Sequence, residues 1–486
     1  MALRVYNTLT GKKEEFVPIH PPKVGLYACG VTVYDYCHIG HARAAVAFDV
    51  IARYLRSSGY DVTYVRNYTD IDDKIINRSN EEGIDWRELA EKFIEAHDAD
   101  MGALGVQRAD VEPRATEHVD DIIRLVKSLQ DRGFAYEVDG DVYFEVARFK
   151  GYGKLSGRNP EEMRAGARIE VDERKRDPLD FALWKSSKEG EPWWDSPWGK
   201  GRPGWHIECS AMSAAILGQP LDIHGGGKDL IFPHHENEIA QSEAEAGREF
   251  SRYWLHNGFV NIDSEKMSKS LGNFFTIREV LERYRPEVIR FFLLSTHYRS
   301  PLDFSDQALD EARIRYERFM NLFARVHRTL AEDRQMNEVE SRSLRALSEE
   351  LEPAFRQAMD DDFNTAAALG HLFTALGTLN GVLDGVEAVA GKISGHWKKG
   401  VDGFFRQVGG SLGFFDDGIE GGPAYFAASR SGDDEAEGKA QVLAEEREDA
   451  RKAKDWARAD ELRDRILELG FTVQDTPQGP VLAAKK

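Results

Sequence analysis

The stretch GLYACGVTVYDYCHIGHARAAVAFDV, residues 25–50, decides the fold of this chain. It opens on an apolar run that predicts a buried strand and leads, through two histidines, into a helix. Apolar residues recur there at helical spacing, at Ala44, Ala47, Ile51 and Leu55. Gly59 predicts the end of this helix, and the alternating residues 61–70 predict a second strand. Strand, helix and strand within about fifty residues indicate a βαβ unit and a parallel sheet.

The composition is that of an ordinary globular protein. The chain has 486 residues, of which 41% are hydrophobic and 30% charged, and this length predicts about three folding units. Three cysteines, none in a C-x-x-C pair, argue against a disulfide framework and for a reducing, cytoplasmic location. The sequence contains no apolar run long enough for a transmembrane helix, and its first residues lack the apolar region of a signal peptide.

The charge balance is strongly acidic. A net charge of −20 disfavours nucleic acid as a partner of the chain taken as a whole. This value is an average over all residues, and a local basic face would still bind phosphates.

The α/β pattern is interrupted and then resumes. Residues 134–146, with Asp139 and Gly140 between two alternating runs, predict a β-hairpin in an insertion. The predicted fold class is an α/β, Rossmann-like parallel-sheet domain split by this insertion, followed by a helical bundle and a small C-terminal α+β unit. The predicted domains are the first half of the α/β domain (1–110), the insertion (111–200), the second half (201–250), a region with a lysine-containing loop (251–309), the helical bundle (310–407), a flexible linker (408–438) and the C-terminal unit (439–486).

Two short motifs suggest phosphate binding. The sequence HIGH, His38 to His41, lies at the predicted start of a helix, where backbone N–H groups and the helix dipole favour anions. The sequence KMSKS, Lys266 to Ser270, places two ammonium groups in a small polar loop that would neutralise a polyphosphate. Taken alone, the first motif is better explained as a helix cap and the second as an ordinary surface loop.

Together, the two motifs resemble the paired signatures of class I aminoacyl-tRNA synthetases. They occur in the expected order, one in each half of the split α/β domain. The resemblance implies that His38, Gly40 and His41 bind ATP together with Lys266, Ser268 and Lys269.

Four residues far apart in the sequence have the chemistry of a metal site. His234 and Glu238 are four residues apart and share one face of a helix. With Cys209 and with Cys29 at a strand end, they would supply two thiolates, an imidazole and a carboxylate, which suit Zn²⁺. Spacing alone leaves open that the cysteines are buried as small apolar residues.

A closer resemblance covers nearly the whole chain. Five blocks look like successive motifs of the bacterial cysteinyl-tRNA synthetase family: residues 27–43, 67–76, 204–212, 223–244 and 266–273. The likeness is weakest between about residues 385 and 440. In that family two cysteines, a histidine and a glutamate hold zinc, and they fall here on Cys29, Cys209, His234 and Glu238. Cys37 is predicted to be a bystander packed behind the first helical turn.

The resemblance implies ATP-dependent ligation of L-cysteine to its cognate tRNA through cysteinyl-adenylate. It further implies that His38 and His41 stabilise the α-phosphoryl transition state, that Lys266 and Lys269 stabilise the departing pyrophosphate, and that Mg²⁺ accompanies ATP. The family also implies that the substrate sulfur binds the zinc ion, which separates cysteine from serine. A purely structural zinc ion is the alternative.

Other functional positions rest on weaker signals. Thr69, Trp205, Asp229 and His224 are candidates for the substrate pocket, with ordinary packing as the alternative. His224 precedes three glycines and is expected to approach the nucleotide. The C-terminal half is expected to bind tRNA. Trp456 is either an anticodon-stacking residue or part of the core of an amphipathic helix.

Two other functions remain open at the level of sequence. A ligase that joins activated cysteine to an amino sugar resembles the same catalytic core, but it has no need of the unit after residue 440. A non-catalytic, tRNA-binding relative would not need both signatures intact. A monomer is expected from the bacterial family.

Overall fold

A computed structural model describes residues 2–159, 161–162, 174–262, 265–266, 274–331, 334–426, 443–444, 447, 450, 456–468, 471–476 and 479–484. The strands are β1 Arg4–Asn7, β2 Lys12–Glu15, β3 Lys23–Thr32, β4 Asp61–Thr69, β5 Ala135–Val138, β6 Asp141–Phe144, β7 Phe181–Ser186, β8 Gly201–Pro203, β9 Leu221–Gly227, β10 Ser251–Asn257, β11 Val260–Ile262, β12 Glu265–Lys266, β13 Leu302–Asp303, β14 Leu330–Ala331, β15 Ile393–Ser394, β16 Phe471–Thr476 and β17 Gly479–Ala484. The α-helices are α1 Ile39–Ser57, α2 Asp73–Glu82, α3 Trp86–Ala103, α4 Val119–Asp131, α5 Trp205–Leu217, α6 Glu236–Ala246, α7 Ile277–Leu281, α8 Pro286–Leu294, α9 Asp306–Thr329, α10 Glu338–Ala346, α11 Glu352–Asp360, α12 Thr365–Glu387, α13 Gly395–Leu412 and α14 Trp456–Glu468.

A four-stranded parallel sheet forms the centre of the α/β domain. Its strand order is β10-β9-β3-β4, and β3, α1 and β4 make up the predicted βαβ unit. Helix α1 begins after His38 and ends at Ser57, and Gly59 adopts a φ of +91° where the chain reverses. The predicted α/β class and parallel sheet are therefore confirmed.

The insertion has an antiparallel sheet of its own. Its strand order is β5-β6-β7-β8, and the first two strands form the predicted hairpin. Asp139 and Gly140 at its turn have φ values of +53° and +85°, as a two-residue type I′ turn requires. The chain leaves this sheet through β8 and enters α5, which packs against the parallel sheet.

The helical domain shares one hydrophobic core with the α/β domain. Buried side chains of α1, such as Ile51 and Leu55, belong to the same cluster as Leu372 of α12 and Phe405 of α13. Each such large apolar side chain contributes about 1.5–3 kcal/mol by burial. In the described part of the chain one helix, α12, is long and apolar enough to cross a membrane, and its buried face packs inside this cluster.

The predicted linker is wrong over its first half. A flexible segment was expected from Val408 because glycine, serine and aspartate are frequent there. The structure instead continues α13 to Leu412 and then buries Phe414, Phe415 and Tyr425 in the core of the helical domain. The apolar residues between the glycines outweigh the flexible composition. Residues 427–438 lie outside the described ranges.

The C-terminal unit contains the predicted helix and hairpin. Helix α14 is followed by β16 and β17, which pair antiparallel from Phe471 opposite Ala484 to Thr476 opposite Gly479. The side chain of Trp456 lies outside the described residues, so both of its predicted roles remain predictions.

Candidate active site and metal centre

A cavity of about 530 Å³ lies at the carboxyl ends of strands β3, β9 and β10. Ligands of open parallel sheets bind at this edge because loops and helix N-termini converge there. The cavity is bordered by the HIGH segment on one side and by Gly226, Gly227 and residues 257–260 on the other. Trp205 and Asp229 complete the wall next to Cys29.

His38 and His41 stand together at the N-terminus of α1. Their rings stack at a centroid distance of 3.8 Å with an interplanar angle of 14°. The Nδ1 atom of His41 accepts a 3.2 Å hydrogen bond from the backbone N–H of His38, which fixes the ring against the helix start. Both imidazoles line the cavity where the helix dipole favours an anion.

Gly40 is required by the ring of His38. A Cβ atom at Gly40 would lie 2.7 Å from Cε1 and 2.9 Å from Nδ1 of His38. These separations are too short for non-bonded atoms, so the His38 ring would have to leave its place beside His41. The glycine therefore permits the stacked arrangement of the two histidines.

The four predicted metal ligands converge on one buried cluster. The ligand atoms of Cys29, Cys209, His234 and Glu238 all lie within 4.8 Å of one another. Cys29 Sγ is 3.4 Å from Glu238 Oε1 and 3.7 Å from His234 Nε2. His234 Nε2 in turn lies 2.9 Å from Glu238 Oε1. Cys37 is buried in the hydrophobic core and belongs to no candidate metal group among the described residues.

A second set of imidazoles surrounds the same carboxylate. His224 Nε2 lies 3.0 Å from Glu238 Oε2 and 3.5 Å from Cys29 Sγ. His235 points its Nδ1 atom at His256 Nε2 across 2.8 Å, and His256 Nδ1 lies 2.8 Å from the Thr8 hydroxyl. Cys29, His224, His235 and Glu238 consequently form an alternative metal-binding group.

The protonation of the cluster follows from its burial and from its internal contacts. Hydrogen bonding with Cys29 is the main cause that lowers the pKa of the Cys209 thiol to about 6, whereas burial raises the pKa of Cys29. Burial disfavours the charged form of His234, but Glu238 and Cys209 outweigh it and raise the pKa of His234 to about 10. Burial likewise opposes ionisation of Glu238, yet His224 and His234 hold its pKa well below the usual range.

The donor set fits zinc. Tetrahedral zinc with one sulfur and one nitrogen ligand places these two atoms about 3.5 Å apart, which agrees with the 3.7 Å between Cys29 Sγ and His234 Nε2. His206 Nδ1 lies 3.0 Å from His234 Nδ1 and so leaves the Nε2 atom of His234 directed at the cluster. Such an outer contact is usual for a metal-binding histidine.

The four predicted pocket residues separate into two pairs. Trp205 and Asp229 line the cavity, and the Trp205 ring stacks on His234 at 4.4 Å. Thr69 is buried and donates a 2.7 Å hydrogen bond to Glu208, and it is not among the described residues that line the cavity. His224, predicted to approach the nucleotide, is fully buried with its ring against Glu238 and Tyr27, and it is not among the described residues that line the cavity.

The KMSKS segment is described only at its start. Lys266 ends the short strand β12, which pairs with β11, and its side chain lies outside the described residues, as do Ser268 and Lys269. Their predicted contacts with ATP stay predictions. The chain is described again from residue 274, and Phe275 then contacts the start of α1 through its carbonyl oxygen.

Comparison with known proteins agrees with this geometry. Residues 15–314 match the tRNA synthetases class I (C) catalytic domain, residues 354–416 the DALR domain and residues 433–479 the cysteinyl-tRNA ligase anticodon binding domain. The cysteine–tRNA ligases of Trichlorobacter lovleyi and Geobacter sulfurreducens are each 56% identical to this chain, over 100% of both sequences. The chain belongs to the cysteine–tRNA ligase family. The match at residues 433–479 disfavours the alternative of an amino-sugar ligase, which needs no anticodon-binding unit.

Solved structures of related synthetases share the fold. Methionyl-tRNA synthetase of Mycobacterium tuberculosis, in complex with methionyl-adenylate, superposes with a TM-score of 0.58 at 18% identity, covering 80% of this chain and 88% of that one. The leucyl enzyme of Agrobacterium radiobacter superposes with a TM-score of 0.55 at 12% identity, covering 82% and 85% of the two chains. At these identities the likeness concerns the fold alone.

In this member of the cysteine–tRNA ligase family, two histidines that contact the metal cluster were not predicted. His206 supports His234, and His256 supports His235. His206 stands between Trp205 and Ile207, and His256 follows Trp254 and Leu255, so both patterns indicate ordinary core residues. The sequence did contain a signal for His206: it lies three residues before Cys209 and therefore on nearly the same face of α5.

Proposed function

We propose that this chain catalyses the ATP-dependent attachment of L-cysteine to the tRNA that carries the cysteine anticodon. The observation that carries the proposal is the cluster of Cys29, Cys209, His234 and Glu238 beside a cavity bordered by His38 and His41. A sulfur-preferring metal site next to a phosphate-binding helix start suits the activation of a thiol-containing amino acid.

The first step joins cysteine to AMP. The carboxylate of cysteine attacks the α-phosphorus of ATP, the bond between the α-phosphorus and the α,β-bridging oxygen breaks, and pyrophosphate leaves with Mg²⁺. His38 and His41 donate hydrogen bonds to the phosphoryl oxygens as charge develops there, and Lys266 and Lys269 neutralise the leaving pyrophosphate. No side chain forms a covalent bond, so the rate depends on in-line positioning and on electrostatics.

The second step transfers the cysteinyl group to tRNA. A ribose hydroxyl of the terminal adenosine, the 2′-hydroxyl in class I enzymes, attacks the carbonyl carbon of cysteinyl-adenylate, and AMP leaves. The helical domain and the C-terminal unit are proposed to hold the tRNA stem and anticodon. The matches to a DALR domain and an anticodon binding domain support this assignment.

Specificity for cysteine is assigned to the metal cluster. Zinc bound there would supply a preference for sulfur over oxygen, which distinguishes cysteine from serine. The chain's own residues shape the rest of the pocket. Trp205 stacks on His234 at the cavity wall, and Asp229, which also lines the cavity, is proposed to bind the α-amino group. Thr69 remains a candidate for the substrate pocket, which it would support from the end of β4.

Charging of tRNA tests the proposal. The zinc-loaded chain is incubated with ATP and a tRNA that bears the cysteine anticodon, with labelled cysteine or serine, and with a second tRNA altered only in its anticodon. We expect cysteine alone to be attached, and we expect the anticodon change to reduce the rate. Attachment of serine at a similar rate, or no charging despite cysteine-dependent pyrophosphate exchange, would contradict the proposal. A cytoplasmic, monomeric enzyme is expected.

A further inference from the structure

We propose that Asp362 is a positioning residue for the nucleotide side of the active site, an inference that rests on the function proposed above. Asp362 lies in the turn between α11 and α12 of the helical domain and is fully buried. Its carboxylate nevertheless pairs with residues of the catalytic half of the chain.

The carboxylate of Asp362 joins three segments. Its Oδ1 atom accepts hydrogen bonds from the backbone N–H of Tyr6, at 2.8 Å, and from the hydroxyl of Tyr298, at 3.0 Å. Its Oδ2 atom accepts a 2.6 Å hydrogen bond from Nε of Arg299, and His297 Nε2 lies 3.5 Å away. A buried carboxylate is stable only with such a complete set of donors, and removing it would leave the donors unpaired.

The backbone at this turn is held in a strained conformation. Asp362 and Phe363 have φ values of +67° and +51°, and a residue as bulky as phenylalanine rarely adopts this region. The turn is fixed from outside by the carbonyl oxygen of Arg4, which accepts from the Asp362 N–H at 2.8 Å. The hydroxyl of Thr365 donates to the carbonyl oxygen of Leu294, also at 2.8 Å.

The loop that Asp362 holds, residues 297–300, supports the wall of the cavity. The N–H of Gly258 donates a 2.8 Å hydrogen bond to the carbonyl oxygen of Tyr298. A Cβ atom at Gly258 would lie only 2.3 Å from the carbonyl oxygen of Ser300, so the two backbones touch. Residues 258–260 line the cavity directly, and Val260 begins β11, which pairs with the strand that ends at Lys266.

The same loop also holds the HIGH helix. Arg43, in α1, is almost fully buried and donates to three carbonyl oxygens around the C-terminus of α8. These acceptors are Leu293, Thr296 at 3.1 Å and His297 at 2.8 Å. A shift of residues 297–300 would therefore be transmitted to both borders of the nucleotide cavity.

The metal cluster depends on other elements. Its ligands stand on β3, on α5, in the turn at residues 231–235 and in the first turn of α6, and the loop at residues 297–300 supports none of these elements in any described contact. Through β1, Asp362 reaches the metal region only indirectly, because Tyr6 precedes Thr8, which contacts His256 beside His235. Loss of the Asp362 carboxylate should consequently impair the use of ATP much more than the binding of cysteine. A residue that served only global stability would not separate the two substrates.

The test compares two neighbouring aspartates in the zinc-loaded, full-length enzyme. Asp362→Asn removes the charge while keeping a side chain that tolerates a positive φ. Asp361→Asn is the matched control, because Asp361 is exposed and pairs only with Lys13 in the described contacts. We expect Asp362→Asn to raise the KM for ATP in pyrophosphate exchange about tenfold, the effect of one hydrogen bond to a buried charge. The KM for cysteine and the parameters of Asp361→Asn should stay within about twofold of wild type.

A milder variant keeps the test decisive if Asp362→Asn does not fold. Tyr298→Phe removes one hydroxyl donor and should raise the KM for ATP in the same direction by a smaller factor. Equal KM values for ATP in wild type and both variants, or equal rises for ATP and cysteine with a lower Tm, would overturn the assignment. If wild-type enzyme does not activate cysteine, the proposed function fails instead, so the two failures are distinguishable.

Discussion

The backbone N–H of Ile39 donates a 3.1 Å hydrogen bond to the carbonyl oxygen of Phe275. The N–H of Ile277 returns a 3.0 Å hydrogen bond to the carbonyl oxygen of Cys37. These contacts tie the start of the HIGH helix to the segment that follows the KMSKS sequence. The two signatures, one from each half of the catalytic domain, therefore share a fixed backbone junction beside the cavity.

Removing one ligand of the cluster should abolish zinc binding. We expect Cys209→Ser to lose bound zinc, because a serine hydroxyl rarely ionises and binds zinc weakly. Cys37→Ser is the matched control, since Cys37 belongs to neither candidate metal group. Metal content per chain, measured by mass spectrometry after dialysis, should stay at one zinc ion for Cys37→Ser. Retention of zinc by Cys209→Ser would contradict the assigned ligand set.

The contact between His206 and His234 should tune zinc affinity. His206→Phe keeps an aromatic ring in α5 but removes the nitrogen that lies 3.0 Å from His234 Nδ1. Loss of such an outer contact typically weakens metal binding by about 10–100-fold. Competition with a chromogenic chelator measures this change. An unchanged affinity would mean that His234 is oriented by packing alone.

Zinc binding should release protons. In the metal-free cluster the pKa of His234 is about 10, raised by Glu238 and Cys209 against the effect of burial, and burial also raises the pKa of Cys29. At pH 7 both groups carry protons that zinc must displace. The affinity for zinc therefore falls as the pH falls, and it rises as the pH approaches the pKa of His234. Two displaced protons correspond to a gain of about 100-fold in affinity from pH 7 to pH 8. Calorimetry in buffers of different ionisation enthalpy would count the protons, and a count of zero would refute this account.

Substitution of Gly40 should reduce activity without unfolding the protein. In Gly40→Ala the new methyl group would displace the ring of His38 from its stack on His41. We expect a fall in kcat of pyrophosphate exchange of about tenfold or more, since one transition-state contact is misplaced. Gly370→Ala is the control, because a Cβ atom there meets nothing within 4 Å on helix α12. Equal activity of the two variants would show that the His38 position is not required.

The buried ion pair between α1 and α8 should stabilise the fold. Arg290 and Asp49 are both almost fully buried, and Arg290 also donates a 2.8 Å hydrogen bond to the carbonyl oxygen of Leu412. Arg290→Met would leave the buried Asp49 with Arg53 and the N–H of Gln107 as its remaining partners, at a cost of about 1–3 kcal/mol in the free energy of unfolding. Arg283→Met is the control, because Arg283 pairs with Asp306 at the exposed surface. Urea denaturation should show a large loss for the first variant and almost none for the second.

Sequence periodicity was sufficient to predict the local elements. The strand and helix on either side of His38, and the hairpin at Asp139, follow from patterns within a dozen residues, where side-chain alternation and turn chemistry act directly. The linker prediction failed because it, too, used only local sequence. Composition at residues 408–426 favoured flexibility, but Phe414 and Phe415 are buried by contacts with distant helices that composition does not describe.

The metal cluster could not be derived from spacing. Cys29 and Cys209 come from β3 and α5, and only the three-dimensional sheet brings them together. Their pairing came from the family resemblance, and the structure brings the four side chains together as one candidate metal group. The resemblance did not supply the position of His224. A histidine before three glycines suggested a nucleotide contact, whereas the pleat of β9 turns its side chain towards Glu238.

The most direct test of the central claim measures amino-acid selection with and without zinc. Pyrophosphate exchange is assayed with cysteine and with serine, using the purified enzyme, the enzyme stripped by a chelator, and the stripped enzyme reloaded with zinc. The account predicts a strong preference for cysteine that disappears on stripping and returns on reloading. A preference for cysteine that persists in the stripped, still folded enzyme would show that the metal cluster does not select the substrate.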